Sequence, residues 1–145
     1  MQRVLSFVYL SVVFLALSGA GFLALDKPSG VALEADGVET YGLEVYQAQG
    51  CGACHQLAAA GTKGVSGPPH DALGVIAGAR LQDPNYHGTA TNAEAYILES
   101  IVDPKAYLVP GYGLSYHHMP AYTTLGEVDL DALVKMLLAQ TGAQR

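Results

Sequence analysis

The length, composition and charge of this sequence narrow what the protein can be. Its 145 residues are enough for one domain with its own hydrophobic core. Only 7 basic residues stand against 13 acidic ones, giving a net charge of −6. This balance argues against nucleic acid as a partner, because phosphate groups are bound by clustered lysine and arginine side chains.

The apolar residues are concentrated at the amino end. The run from Val4 to Leu25 has 22 residues without a charge, which as a helix spans roughly 33 Å, about the hydrocarbon thickness of a bilayer. Arg3 precedes this run and Asp26 follows it, so the charge bias predicts that the chain after the run lies outside the cytoplasm. Residues 1–25 are therefore predicted to be a transmembrane anchor. The alternative is a signal peptide cleaved at residues 18–20 (Ser-Gly-Ala), which also exports the remainder.

Beyond the anchor, the sequence divides into a short tether and a folded domain. Residues 26–40 are mostly small and polar and are predicted to be the tether, while residues 41–145 are predicted to form the domain. All 13 acidic residues and six of the basic residues follow the anchor, so the exported part has a net charge near −7. That charge is compatible with a basic docking partner.

The domain is predicted to be all-α, with helices joined by loops rich in glycine and proline. Three helices with capping-box spacing at their starts are predicted, at residues 36–49, from 91 or 92 to 103, and 124–142. Residues 56–90 are predicted to be irregular, an unusual length for a loop in so small a domain. Three helices with such loops would bury too little apolar surface, so a large, flat cofactor is expected to fill the middle.

The strongest motif is the run Cys51-Gly52-Ala53-Cys54-His55. A Cys-x-x-Cys-His run is the attachment site of haem c: two thiols add to the porphyrin vinyl groups, and the adjacent imidazole binds the iron. A redox-active dithiol is one rival, but it needs a preceding strand and a βαβ setting. A zinc site is another, but it usually needs two cysteine pairs, and the chain has no further cysteine.

Met119 is predicted to be the second axial ligand. It follows His55 by 64 residues, in the run His117-His118-Met119-Pro120 before the last predicted helix. Thioether ligation favours Fe(II) and raises the reduction potential. Ligation by His117, His118 or His70 is the alternative and would lower the potential.

Two further residues of ligand type are expected to have other roles. Met136 lies in the apolar stripe of the last predicted helix and is expected to be core packing. His87 lies in a polar stretch and is expected to be a solvated loop residue.

From about residue 40 to 142 the chain resembles the class I cytochromes c, in which three main helices wrap around one covalent haem. Gly42, Leu43 and Tyr46 resemble the first helix, whose glycine and aromatic pack against the last helix. By this resemblance, the carbonyl of Pro68, in the pair Gly67-Pro68, accepts a hydrogen bond from Nδ1 of the axial histidine and orients it. Met119-Pro120 and the helix that follows resemble the distal ligand loop and the last helix.

The stretch from Ala95 to Tyr112, with Met119-Pro120, is similar to haem c domains of membrane respiratory complexes. These are the domain fused to subunit II of some haem-copper oxidases and the small monohaem subunit of alternative complex III. The chain departs from the family at two positions: His70 replaces an aliphatic residue, and Met136 replaces an aromatic one. The loop at residues 113–118 also carries extra residues before Met119.

Together, the motif and the resemblance predict one-electron transfer by a covalent haem c with His55 and Met119 as axial ligands. The expected location is the extracytoplasmic face of the cell membrane. The protein is expected to be a tethered carrier, or a subunit of a respiratory or photosynthetic complex, with other redox proteins as partners. The alternative is a haem enzyme or gas sensor whose sixth ligand is absent or displaceable.

Overall fold

Four α-helices organise the part of the chain that the computed structural model describes, residues 35–113 and 118–142. The helices are α1 (Ala35–Ala48), α2 (Leu73–Arg80), α3 (Ala93–Val102) and α4 (Glu127–Leu138). A two-stranded antiparallel ribbon, β1 (Gln56–Leu57) and β2 (Thr62–Lys63), lies between α1 and α2. No helix of the described ranges combines the length and apolar character needed to cross a bilayer. The predicted anchor at residues 1–25 and most of the predicted tether lie outside the described residues.

Helix α1 is the first predicted helix. It already includes Ala35 and Asp36, so Asp36 is a first-turn residue and not the predicted cap. An acidic side chain in the first turn still interacts favourably with the helix dipole. Residues 35–40, which close the predicted tether, are therefore helical.

Helix α3 begins and ends within one residue of the prediction. The side chain of Asn92 accepts a hydrogen bond from the backbone N–H of Ala95 at 2.9 Å, so Asn92 is the cap and Thr91 is not. The helix ends at Val102, directly before the Asp103-Pro104 pair. Proline disfavours a helical conformation in the residue before it, which explains the end point.

The start predicted for the last helix is wrong by three residues. Thr124 lies in a turn, and α4 begins at Glu127 after Gly126, which provides no side-chain cap. Glu127 and Asp129 instead place two carboxylates in the first turn, where the helix dipole favours them. The predicted apolar stripe is confirmed, because Leu133 and Leu137 are buried in the core and Leu130 packs against it.

Helix α2 corrects the prediction that residues 56–90 are irregular. Its eight residues include Gly74 and Gly78, and glycine has a low helix propensity, so its sequence does not indicate a helix. Tertiary packing stabilises it: Leu73 and Ala77 are buried, and a side chain on Gly74 would overlap the Leu138 carbonyl group. The β1–β2 ribbon in the same region was also not predicted.

The core is centred on the crossing of α1 with α4, which is the most extensive helix pair. Gly42 lies so close to α4 that a β-carbon at that position would overlap the Ala132 carbonyl oxygen and the Met136 β-carbon. The predicted close packing of this glycine on the last helix is therefore confirmed. Tyr46 is fully buried in the same core, and Met136 is 2% exposed there, as its interpretation as core packing requires.

Candidate functional site

The residues of the Cys51–His55 motif form a tight turn directly after α1. Gly50 ends the helix with a positive φ of 69°, a conformation that glycine adopts without steric cost. Cys51 to Ala53 then form a single 3₁₀ turn, and the N–H of His55 donates to the carbonyl of Cys51 at 3.0 Å. The turn is short, so both cysteines and the histidine reach the same cavity wall.

The imidazole of His55 is buried and fixed by a single strong hydrogen bond. Its side chain is 7% exposed, and its Nδ1 lies 2.7 Å from the Pro68 carbonyl oxygen. A carbonyl oxygen only accepts, so Nδ1 carries the proton and Nε2 keeps a free lone pair. Burial lowers the pKa of His55, although the bond to Pro68 opposes that shift. The contact predicted from the family resemblance is present, and it leaves His55 in the tautomer that can bind a metal through Nε2.

Gly67 makes room for this imidazole. A β-carbon at Gly67 would overlap the His55 ring at Cε1 and lie within 3 Å of both ring nitrogens. The N–H of Gly67 donates to the Cys54 carbonyl at 2.9 Å, which ties the Gly67-Pro68 segment to the motif. Gly67 therefore allows the backbone to approach the imidazole closely, and the Pro68 carbonyl accepts its hydrogen bond.

The backbone of His55 is held by two hydroxyl groups. Thr62 Oγ1 donates to the His55 carbonyl at 2.9 Å and accepts from the N–H of Leu57 at 3.0 Å. The hydroxyl of Tyr46 also donates to the His55 carbonyl, at 3.3 Å. Strand β2 and helix α1 thus fix the histidine from two directions.

All five residues predicted from the sequence line one cavity: Cys51, Cys54, His55, Pro68 and Met119. The cavity has a volume of about 160 Å³ and is partly open to solvent. Its walls come from all four helices and the loops between them, a wider lining than a single ion needs. The remaining lining is mostly apolar and aromatic, with Ile101 and Leu137 from the core and Tyr107 and Tyr112 from the loop after α3.

Met119 and His118 both line this cavity, but their surroundings differ. Met119 is half-buried and packs against the core, whereas His118 is exposed. The segment just after them is anchored by Tyr122, whose N–H donates to the Ile101 carbonyl at 3.0 Å and whose hydroxyl donates to the Gln49 carbonyl at 3.2 Å. His117 lies outside the described residues. Of the two described candidates, Met119 has the more fixed position.

His70 stacks directly on His55. The two ring centroids are 4.0 Å apart and the ring planes differ by 15°. Two imidazoles that bind one iron from opposite sides point their nitrogens at each other across the metal, so they cannot lie face to face. This geometry argues against His70 as the ligand opposite His55. Burial, followed by the nearby positive charges, lowers the pKa of His70 well below its ordinary value, so the ring is neutral.

Arg80 and two tyrosines form a polar part of the cavity that sequence reasoning missed. Arg80, Tyr96 and Tyr107 all line it, and the Arg80 guanidinium donates to the Tyr96 hydroxyl at 3.4 Å. No carboxylate of the described residues lies within ion-pair distance of Arg80. The Tyr107 hydroxyl donates to Asp83 at 2.8 Å, and burial together with this bond raises the pKa of Tyr107 to about 12. One sequence clue was available: Arg80 is the only arginine between residues 4 and 144.

The two rival interpretations of the cysteine pair gain nothing from this geometry. Burial raises the pKa of the Cys51 thiol to about 11, whereas a redox-active dithiol needs a lowered one. The motif also follows a helix and not a strand. Within the described ranges, no three His, Cys, Asp or Glu side chains converge as a metal-ion site, so the zinc interpretation lacks its ligand set.

Comparison with known proteins adds no relative. No protein-family profile matches the chain, and neither a curated protein nor a solved structure is significantly similar to it. The functional argument therefore depends on the residues and their arrangement.

Proposed function

We propose that this protein is a membrane-tethered c-type cytochrome that transfers one electron at a time through a single covalent haem c. The observation that carries the proposal is the convergence of Cys51, Cys54, His55, Pro68 and Met119 on one cavity. These residues come from three separate segments of the chain. Sequence proximity accounts for the position of Cys54 and His55 beside Cys51 but not for that of Pro68 and Met119, so the convergence of the three segments supports a shared ligand.

The cysteine pair would attach the cofactor. Cys51 and Cys54 are both unpaired and half-buried on the cavity wall. Thioether bonds from the two thiols to the porphyrin vinyl groups would remove the buried, high-pKa thiol at Cys51. They would also retain the cofactor on a small domain outside the cytoplasm.

His55 and Met119 would be the axial ligands. The hydrogen bond to Pro68 makes the His55 imidazole a stronger donor and fixes its orientation. Haem c supplies an iron that cycles between Fe(II) and Fe(III), and a His/Met ligand pair raises its reduction potential. With both positions filled, small molecules would be kept from the metal, and the protein would transfer electrons without binding a substrate at the iron.

Arg80 would neutralise part of the charge of the haem propionates. It is the cavity-lining guanidinium without a carboxylate partner among the described residues. A guanidinium binds a carboxylate through two parallel hydrogen bonds. The tyrosine hydroxyls of Tyr96 and Tyr107 lie on the same part of the lining.

The proposed setting is the extracytoplasmic face of the cell membrane. A transmembrane anchor at residues 1–25, with the tether at residues 26–40, would raise the effective concentration of the haem domain near membrane-bound redox partners. The net charge near −7 of the exported part suits basic docking surfaces and disfavours nucleic acid. The narrower resemblance to respiratory haem c domains supports a subunit or a tethered carrier of an electron-transport complex.

A pyridine haemochrome spectrum of the native, full-length protein tests the proposal. We expect one haem c per chain, and loss of covalent haem in the variant C51A/C54A. A protein without haem c would refute the proposal. Native sizing after detergent extraction distinguishes a free carrier from a subunit.

The ligand opposite His55 is tested by Met119→Ala, with His118→Ala as the matched control. If Met119 binds the iron, M119A loses the weak long-wavelength band of ferric methionine-ligated haem and its reduction potential falls. H118A is expected to keep both. If the wild type lacks this band and its reduction potential changes in H118A but not in M119A, the ligand is His118, which also lines the cavity. If neither substitution changes the spectrum or the potential, the sixth position is open, as in the alternative function, a haem enzyme or gas sensor.

A further inference from the structure

His70 has a role that none of the assignments above uses. Its Nδ1 is the buried side-chain polar atom that lacks a hydrogen-bond partner among the described residues. A buried nitrogen without a partner costs free energy, and an aliphatic side chain at this position would avoid that cost. The ring itself must therefore contribute something to the site.

The ring of His70 is held in place by its own backbone and by its neighbours. The backbone N–H of His70 donates to the Gln56 carbonyl at 2.8 Å, and the backbone carbonyl of His70 accepts from the N–H of Leu73 at 3.0 Å. The Tyr46 ring lies against it edge-on, with centroids 5.8 Å apart and planes at 72°. His70 therefore meets His55 as a fixed surface, not as a mobile side chain.

Three contacts together determine the position of the His55 imidazole. The Pro68 carbonyl fixes its edge at Nδ1, the Gly67 backbone lies against Cε1, and the His70 ring covers one face. The first two contacts fix where the ring is. The third also supplies π-electron density next to it.

We propose that His70 is a positioning residue that stabilises the ferric state by stacking on the iron ligand His55. The inference rests on the proposed function. Fe(III) draws more electron density from its imidazole ligand than Fe(II) does, so the His55 ring is more positive in the oxidised protein. The face of an aromatic ring attracts positive charge, so the stack favours Fe(III). A family member with an aliphatic residue at this position lacks that contribution.

Three substitutions in the full-length holoprotein distinguish the effect of the aromatic ring of His70 from the effect of its nitrogen. His70→Phe keeps an aromatic face without a nitrogen, His70→Asn keeps a nitrogen without an aromatic ring, and His70→Leu has neither. His87→Leu is the matched control, because His87 is an exposed histidine outside the cavity. The Fe(III)/Fe(II) ratio is measured at one fixed applied potential. The His55 ring-proton shifts are measured by NMR in the diamagnetic Fe(II) state.

If stacking acts, H70L and H70N lower the Fe(III)/Fe(II) ratio by roughly threefold, while H70F and H87L stay near wild type. The His55 ring protons move downfield in H70L and H70N, because they lose the shielding of the stacked ring. The inference is overturned if H70L and H70N both keep the wild-type Fe(III)/Fe(II) ratio. It is also overturned if H70N keeps that ratio while H70F changes it. A haemochrome spectrum accompanies each sample. Absence of haem in the wild type counts against the proposed function, whereas intact haem with unchanged ratios counts only against the role of His70.

Discussion

Two regions of the molecule are stabilised in different ways. The helical scaffold (α1, α3 and α4) buries a continuous set of apolar side chains, including Ile97, Ile101 and Leu133. The site segment (residues 50–70) is described throughout, and Leu57 is its one buried apolar residue. The site segment depends instead on hydrogen bonds to individual atoms. The helical scaffold should tolerate substitutions that conserve side-chain volume, whereas the site segment should be destabilised by the loss of a single polar group.

These hydrogen bonds converge on a few backbone groups. Thr62 and Tyr46 both donate to the His55 carbonyl. The Asp71 carboxylate accepts from the Gln56 side chain at 2.8 Å and from the N–H of Ala58 at 2.6 Å. The segment is therefore fixed without a core of its own. The scaffold and the site segment should respond differently to substitution.

The largest expected effect is in the scaffold, from Gly42→Ala. The added β-carbon overlaps the α4 backbone at Ala132, which cannot move without separating the two helices. We expect the free energy of unfolding to fall by about 1–3 kcal/mol, as for overpacked cores, in a denaturant titration. Gly78→Ala is the control: nothing lies near its β-carbon, and alanine is favoured over glycine in a helix by roughly 0.5–1 kcal/mol. Equal effects of the two substitutions would show that the crossing is not tightly packed.

A smaller effect is expected in the site segment, from Thr62→Val. Valine keeps the shape but leaves the His55 carbonyl and the N–H of Leu57 without the Thr62 hydroxyl. The expected loss is about 1–2 kcal/mol in free energy of unfolding. Thr62→Ser keeps the hydroxyl and should lose clearly less. If serine is as destabilising as valine, the methyl group matters and not the hydrogen bonds.

The smallest effect on stability is expected from Gly67→Ala, although its effect on the site is large. The new β-carbon meets the side chain of His55, which can rotate away, so we expect a loss near 1 kcal/mol for the broken bond to Pro68. The NMR signal of the His55 Nδ1–H should shift, and the haem potential should change with it. Gly42→Ala should leave both unchanged. Altered site signals in G42A but not in G67A would contradict the separation of the two regions.

A helix could be predicted from the sequence only where its apolar residues recur at helical spacing. Helix α3 and the apolar stripe of α4 follow from that pattern, and the α3 prediction holds to within one residue. Helix α2 could not be predicted, because glycine at two of its eight positions lowers its helix propensity, and packing against α3 and the end of α4 stabilises it. The start of α4 was misplaced because Thr124 has the spacing of a capping box but lies in a turn. Capping-box spacing favours a helix start but does not determine it.

The candidate site, like the helices, could be predicted only in part. The spacing of Cys51, Cys54 and His55 predicts a haem attachment site from the sequence alone, because haem c attachment requires these residues close together in the chain. Arg80 could not be assigned, because its being the only arginine between residues 4 and 144 does not say where in the fold it lies. Its place on the cavity wall depends on helix α2, which the sequence did not reveal.

The sequence by itself therefore determined the Cys-x-x-Cys-His motif, three of the four described helices (α1, α3 and α4), the excess of negative charge and the choice of Met119 as a candidate ligand. The family resemblance predicted that the Pro68 carbonyl accepts a hydrogen bond from Nδ1 of His55, and the structure has this contact. Only the tertiary structure decided that Gly67 lies against the ring and that His70 stacks on it. The physical reason is distance along the chain. Periodicity and motif spacing record interactions between near neighbours, whereas a ring stacked at 4.0 Å across 15 residues depends on how the whole segment folds.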